Sequence, residues 1–162
     1  MTLAQELACL LSRDLHRLQQ EIEATPEEFL FTTRPGVSNS IGNLALHLEG
    51  NLREFVGRQF GSVPYTRQRD REFNDSGIPK SELLVRLTNL HQTIVPILSS
   101  ASDEKLAVSS GEQRYGLDLS WREFLIHLFG HFNYHLGQID YLRRLLTANG
   151  SLPLAELKRT AL

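Results

Sequence analysis

Leucine and isoleucine recur at three- and four-residue steps through four long stretches of the chain, the spacing that lines one face of an α-helix. From about Thr2 to Glu23 the apolar set is Leu3, Leu7, Leu10, Leu11, Leu15, Leu18 and Ile22. Pro26 and the Pro-, Gly- and Ser-containing run "FTTRPGVSNS" then predict a break and a loop. A second helix is predicted from Ser38 or Ser40, either a fitting N-cap, through Ile41, Leu44, Leu48, Leu52, Phe55 and Val56 to about Phe60–Gly61. A third opens at "PKSELL" and carries Leu83, Leu84, Leu87, Leu90, Ile94, Ile97 and Leu98, with Pro96 expected to kink it or free its last turn. The fourth opens at Ser120, with Glu123 completing a capping box, and runs to about Ala148, where Asn149–Gly150 is the stop signal.

The connections are unequal. Ser62 to Pro79 is polar, with "NDSG" as a turn, and Ser99 to Asp118 reads as a long loop in which "SDEKL" forms one helical turn. Strand signals are almost absent. The pattern predicts an all-α fold, a four-helix bundle occupying residues 1–162 as a single domain.

Charge and composition remove function classes. Seventeen basic and nineteen acidic residues leave a net charge of -2, with no basic footprint for nucleic acid. Cys9 is the only cysteine, so no intramolecular disulfide forms, which fits a reducing cytoplasm. The first residues lack the basic and apolar regions of a signal peptide, and no apolar run is long enough for a membrane span; a cytoplasmic protein is expected. Two glycines never stand as G-x-G, and Walker A, G-x-S-x-G, C-x-x-C and H-E-x-x-H sequences are missing. No glutamate has a histidine three residues on, which argues against a ferritin-like di-iron centre.

What remains is histidine. "HLFGHFNYHLGQID" places His127, His131 and His135 four residues apart on the fourth helix. Four residues turn a helix about 40° past one full turn, so His131 and His135 stand one above the other and can converge on one ion. Imidazole suits Zn, Ni, Cu or Fe. His47 lies on the inward side of the second helix, in "IGNLALHLEGNL", where an unsatisfied polar group is expensive. The three together make a three-nitrogen site that keeps positions open for water or substrate; the plain alternative is that each bonds one polar neighbour. His127 is turned about 80° from His135 and is read as an edge or supporting residue. Asn51 and Gln138 stand within reach of His47 and His135 as hydrogen-bonding supports. Trp121 and Tyr134 are read as packing residues, and Gly130 and Gly137 as places where another helix comes close.

"SIGNLALHLEGNLREF", "DREFND" and "HFNYHLGQIDYLRRLL" together resemble the DinB-like superfamily, in particular a branch whose members have no assigned reaction. The resemblance covers nearly the whole chain. It implies an up-down-down-up four-helix bundle with a three-histidine site, mapping by position onto His47, His131 and His135. It also implies a bound divalent transition metal, nickel or zinc, and a homodimer. Some such proteins are S-transferases that use a low-molecular-weight thiol, bacillithiol or mycothiol. The expectation is therefore a metal-dependent thiol S-transferase acting on a small electrophile, with a metal-dependent hydrolase and a non-enzymatic metal-binding or sensing bundle as alternatives. No nucleic-acid or membrane partner is expected.

Overall fold

A computed structural model describes residues 2–114 and 116–153; the tail after Pro153, which the sequence specifies only weakly, falls outside them. The chain is mostly helical, with six α-helices and one small two-stranded sheet among the described residues. The helices are α1 (Leu3–Ala24), α2 (Ile41–Leu52), α3 (Arg69–Asn74), α4 (Lys80–Ser99), α5 (Asp103–Ala107) and α6 (Trp121–Thr147). No helix among the described residues is long and apolar enough to cross a membrane.

The four predicted periodicities correspond to α1, α2, α4 and α6. Their ends follow the expected chemistry. Thr2 caps α1 in a capping box with Gln5, Ser40 accepts from the Asn43 N–H at 3.1 Å at the start of α2, and Ser120 and Glu123 form the capping box of α6. α2 continues without a break into a π-helical segment, Arg53–Phe60, which ends where the Gly61 N–H reaches back five residues to the Val56 carbonyl at 2.9 Å. Pro96 sits in the last turn of α4. Its ring removes the N–H that would bond the Gln92 carbonyl one turn back, and the helix nevertheless continues to Ser99.

The polar stretch Ser62–Pro79, for which the sequence predicts only a turn, also holds α3. Two expectations need correction. The long loop before α6 holds the predicted turn, α5, but also an antiparallel hairpin, β1 (Ser109–Arg114) and β2 (Leu117–Ser120). Neither element advertises itself, since "SSGEQR" has no apolar alternation and exists as a strand only through its pairing. Finally, α6 is stopped by Ala148, at φ +58°, rather than at Asn149–Gly150.

The core explains the architecture. The stripe Leu7, Leu11, Leu15, Leu18 and Ile22 of α1 packs on Leu83, Leu87, Leu90, Ile94 and Leu98 of α4, all buried. α6 contributes Phe124, Leu128, Phe132, Leu136 and Ile139 against α1 and α2. α2 is different: every residue from Ile41 to Leu52 is buried. A helix enclosed on all sides must satisfy each polar side chain it carries. That requirement turns His47, Asn43 and Glu49 into markers of what surrounds them. Glu49 is met by Arg53 at 2.8 Å and by Arg86 of α4 at 2.7 Å.

Candidate metal centre

His47, at the middle of α2, faces His131 and His135 of α6. One ligand nitrogen from each of the three lies within 4.8 Å of the other two. The His47 and His131 Nε2 atoms are 3.3 Å apart. The ring centroids of His131 and His135 are separated by 4.6 Å, and each is 5.1 Å from His47. The two α6 rings come together because they are one turn apart on the same helix; the third comes because α2 packs against that face.

What makes the cluster chemically specific lies behind the rings. His47 Nδ1 meets Glu72 Oε2 at 2.9 Å, and Glu72 is buried. A neutral imidazole bonded to a carboxylate carries its proton on Nδ1, so His47 presents the bare Nε2 to the cluster. His135 Nδ1 meets Gln138 Oε1 at 2.7 Å; the amide oxygen can only accept, so His135 likewise presents Nε2. Two lone pairs are thereby aimed at a space bordered by a third imidazole. Such a donor set fits a borderline transition-metal ion and a backed-up imidazole is the usual form of such a ligand.

Glu72 is itself held. Arg67 donates to it twice, Nε to Oε1 at 2.7 Å and Nη2 to Oε2 at 2.9 Å. Burial pushes the Glu72 carboxyl up, but the bonds from His47 and Arg67 outweigh this and leave it below the ordinary value. Its helix, α3, is anchored to α2 by Asn43, whose Nδ2 donates to the carbonyls of Glu72 at 3.2 Å and Asp75 at 2.9 Å. Burial lowers the His135 pKa; the Gln138 bond opposes that and the nearby His47 adds to it, with a net decrease.

Gly50, one turn after His47, gives Glu72 its room. A Cβ there would fall within the carboxylate, 2.7 Å from Cδ. Gly50→Ala is therefore expected to displace Glu72 from His47. Loss of a carboxylate behind a ligating histidine weakens metal binding about 10- to 100-fold. Competition titration of nickel or zinc against a chelator measures this, and an unchanged affinity would remove Glu72 from the site.

The remaining candidates divide. Gln138 supports His135 as expected. Asn51 is buried but makes no hydrogen bond with the three imidazoles. The His127 ring is 6.5 Å from His131 and stacks on Phe124 with centroids 6.1 Å apart, outside the ligating group. Tyr134, read as a packing residue, is mostly exposed and sets its ring against His135 at 5.1 Å. Trp121 does pack, against Phe60. Gly130 and Gly137 have no neighbour within 4 Å where a Cβ would stand, so no helix among the described residues approaches them. Sequence reasoning missed Glu72 and Arg67 as functional candidates; the one available signal was a carboxylate in "DREFND", with no periodicity to show that it is buried.

Residues 11–155 match the model of a family described as "Protein of unknown function (DUF1572)". No curated protein matches the chain significantly.

Proposed function

The chain belongs to the DUF1572 family, and from the geometry of its three histidines we propose a divalent-metal protein of the thiol S-transferase type, acting on a small electrophile. The observation that carries the proposal is the convergence of the His47, His131 and His135 nitrogens, with Glu72 and Gln138 holding the opposite ring nitrogens of two of them. The resemblance to DinB-like proteins supports nickel or zinc as the ion and a bacillithiol- or mycothiol-like co-substrate. It also supports a four-helix bundle of up-down-down-up order, formed by α1, α2, α4 and α6, and a homodimer in the cytoplasm.

Within this reading the three imidazoles are ligands and not general bases. The Glu72–Arg67 pair fixes the tautomer and angle of His47, and Gln138 does so for His135. What the ion supplies when bound is Lewis acidity, which favours the thiolate form of a thiol, its nucleophilic state. Three protein ligands leave coordination positions for that purpose.

The test is elemental analysis of the purified protein followed by turnover screening of electrophiles with and without added thiol. One nickel or zinc per chain and thiol-dependent loss of electrophile are expected. Products formed by water alone would replace transfer with hydrolysis, and the absence of transition-metal binding at neutral pH would end the proposal.

A pH dependence follows. Only neutral imidazoles bind a metal, so protons compete with the ion. Unperturbed imidazole titrates at about 6.5, and burial carries His135 lower. Affinity is expected to be nearly flat above that value and to fall below it, as measured by competition titration at constant ionic strength. Affinity that rose with acidity would contradict histidine ligation.

A further inference from the structure

At Gln138, one hydrogen bond from His135, lies a cavity that the metal centre does not use. It has a volume of about 450 Å³ and runs between α6 and the loop that precedes α2. Leu44 and Leu142, both buried, line its depth, and Tyr141 and Leu145, both exposed, line its outer side. The loop Gly36–Asn39 closes the opposite rim. A turn fixes the course of that loop: the Val37 N–H donates to the Arg34 carbonyl at 2.9 Å, and Gly36 follows Pro35 at φ +81°, the type II arrangement. The volume falls in the range of about 300–1,000 Å³ typical of small-molecule sites, which pair apolar walls with a few placed polar groups.

Ser38, Asn39 and Gln138 are its polar side chains, and of these Gln138 bonds His135. Because its Oε1 accepts from His135 Nδ1, its amide NH₂ is turned to the other side, and no hydrogen bond from it to a described residue is formed. A carboxamide held in this way offers donors to a ligand acceptor one hydrogen bond away from the histidine cluster. Among the described residues no charged side chain lines the cavity, which selects against an ionic ligand.

We propose that this cavity binds the apolar body of an uncharged aryl or alkyl carbonyl compound, whose carbonyl oxygen accepts from Gln138 Nε2 beside the histidine site. The inference deepens the reading of the metal centre and rests on it for which end of the ligand reacts; binding itself does not depend on metal.

The experiment is a ligand-observed NMR titration of 4-phenyl-2-butanone with the full chain, metal-free, in wild type and in Gln138→Leu, Leu145→Lys and His131→Ala. Gln138 and Leu145 are exposed, so folding is not at stake. Saturable binding to wild type is expected. Loss of one hydrogen bond in Gln138→Leu weakens it about fivefold, and a charge on the apolar wall in Leu145→Lys weakens it about tenfold or more. His131→Ala retains it, even where that variant or the wild type fails to hold metal, so the two readings fail separately. Absence of saturable binding, or binding that either cavity variant leaves unchanged, overturns the proposal. If no ketone binds and Leu145→Lys converts a dimer to a monomer in sedimentation, the same wall is a contact between copies and the proposal is likewise overturned.

Discussion

His131→Ala is expected to abolish stoichiometric metal binding while leaving the fold intact. His131 has its Nε2 3.3 Å from that of His47 and forms the third corner of a triangle with the two imidazoles whose outer nitrogens are tied. Losing even a residue behind a ligand weakens a site about 10- to 100-fold, so losing one ligand of three should exceed about 100-fold. Alanine is the best helix former and the ring is only partly buried, so α6 should persist. The matched control is His127→Ala. Its ring stands outside the cluster, and metal content should stay near that of wild type. Elemental analysis and the metal-dependent rise in Tm check both. A ligand at 100 times its Kd stabilises by about 2.7 kcal/mol, a shift that His131→Ala should lose and His127→Ala should keep. Equal loss in the two variants would mean that the whole α6 ladder, and not the three-histidine cluster, holds the ion.

The largest effect on stability is expected far from the histidines, at Glu21. Glu21 and Arg143 form an ion pair between α1 and α6, and both are essentially excluded from solvent. Glu21 Oε1 also faces Arg17 Nη2 at 3.0 Å, an ion pair that lies off the hydrogen-bonding line. Arg143 reaches on to Asp140 at 3.3 Å and to the Gly150 carbonyl at 3.1 Å, tying the end of α6 to the chain that follows. Glu21→Ala leaves the buried Arg143 guanidinium with the Gly150 carbonyl and, among the described residues, the half-buried Asp140 as its one anionic partner. Removing one partner of a buried pair costs about 3–5 kcal/mol, because the desolvated charge that remains is no longer compensated. The double variant Glu21→Leu with Arg143→Met should recover most of that loss, since well-packed apolar residues can replace such a pair at little cost. Urea denaturation of the three proteins measures both numbers. A loss under about 1 kcal/mol in Glu21→Ala would show that Arg17 and Asp140 redistribute to cover the charge.

Local rules determined most of the helical content. The leucine spacing marks α1, α4 and α6, Ser40 and Ser120 cap α2 and α6, and "SDEKL" forms α5, because each depends on residues within a few positions of one another. The pairing of His131 with His135 is of the same kind: a single helical turn sets it. The sequence also pointed to His47 through the cost of burying a histidine, and to Gln138 through its three-residue offset from His135.

What only the tertiary structure decided is everything that joins distant stretches. α3 and the hairpin have no apolar periodicity and exist through their partners: Asn43 binds the carbonyls of α3, and β1 pairs with β2. Glu72 is 25 residues from the histidine it orients, and its meaning depends on α3 lying against the one turn of α2 where Gly50 leaves space. Gly130 and Gly137 show the opposite case, small residues in a helix that the other described residues leave uncovered. Hydrophobic spacing says which face of a helix is buried. Only the packed chain says what buries it, and with that which polar atom stands behind each imidazole.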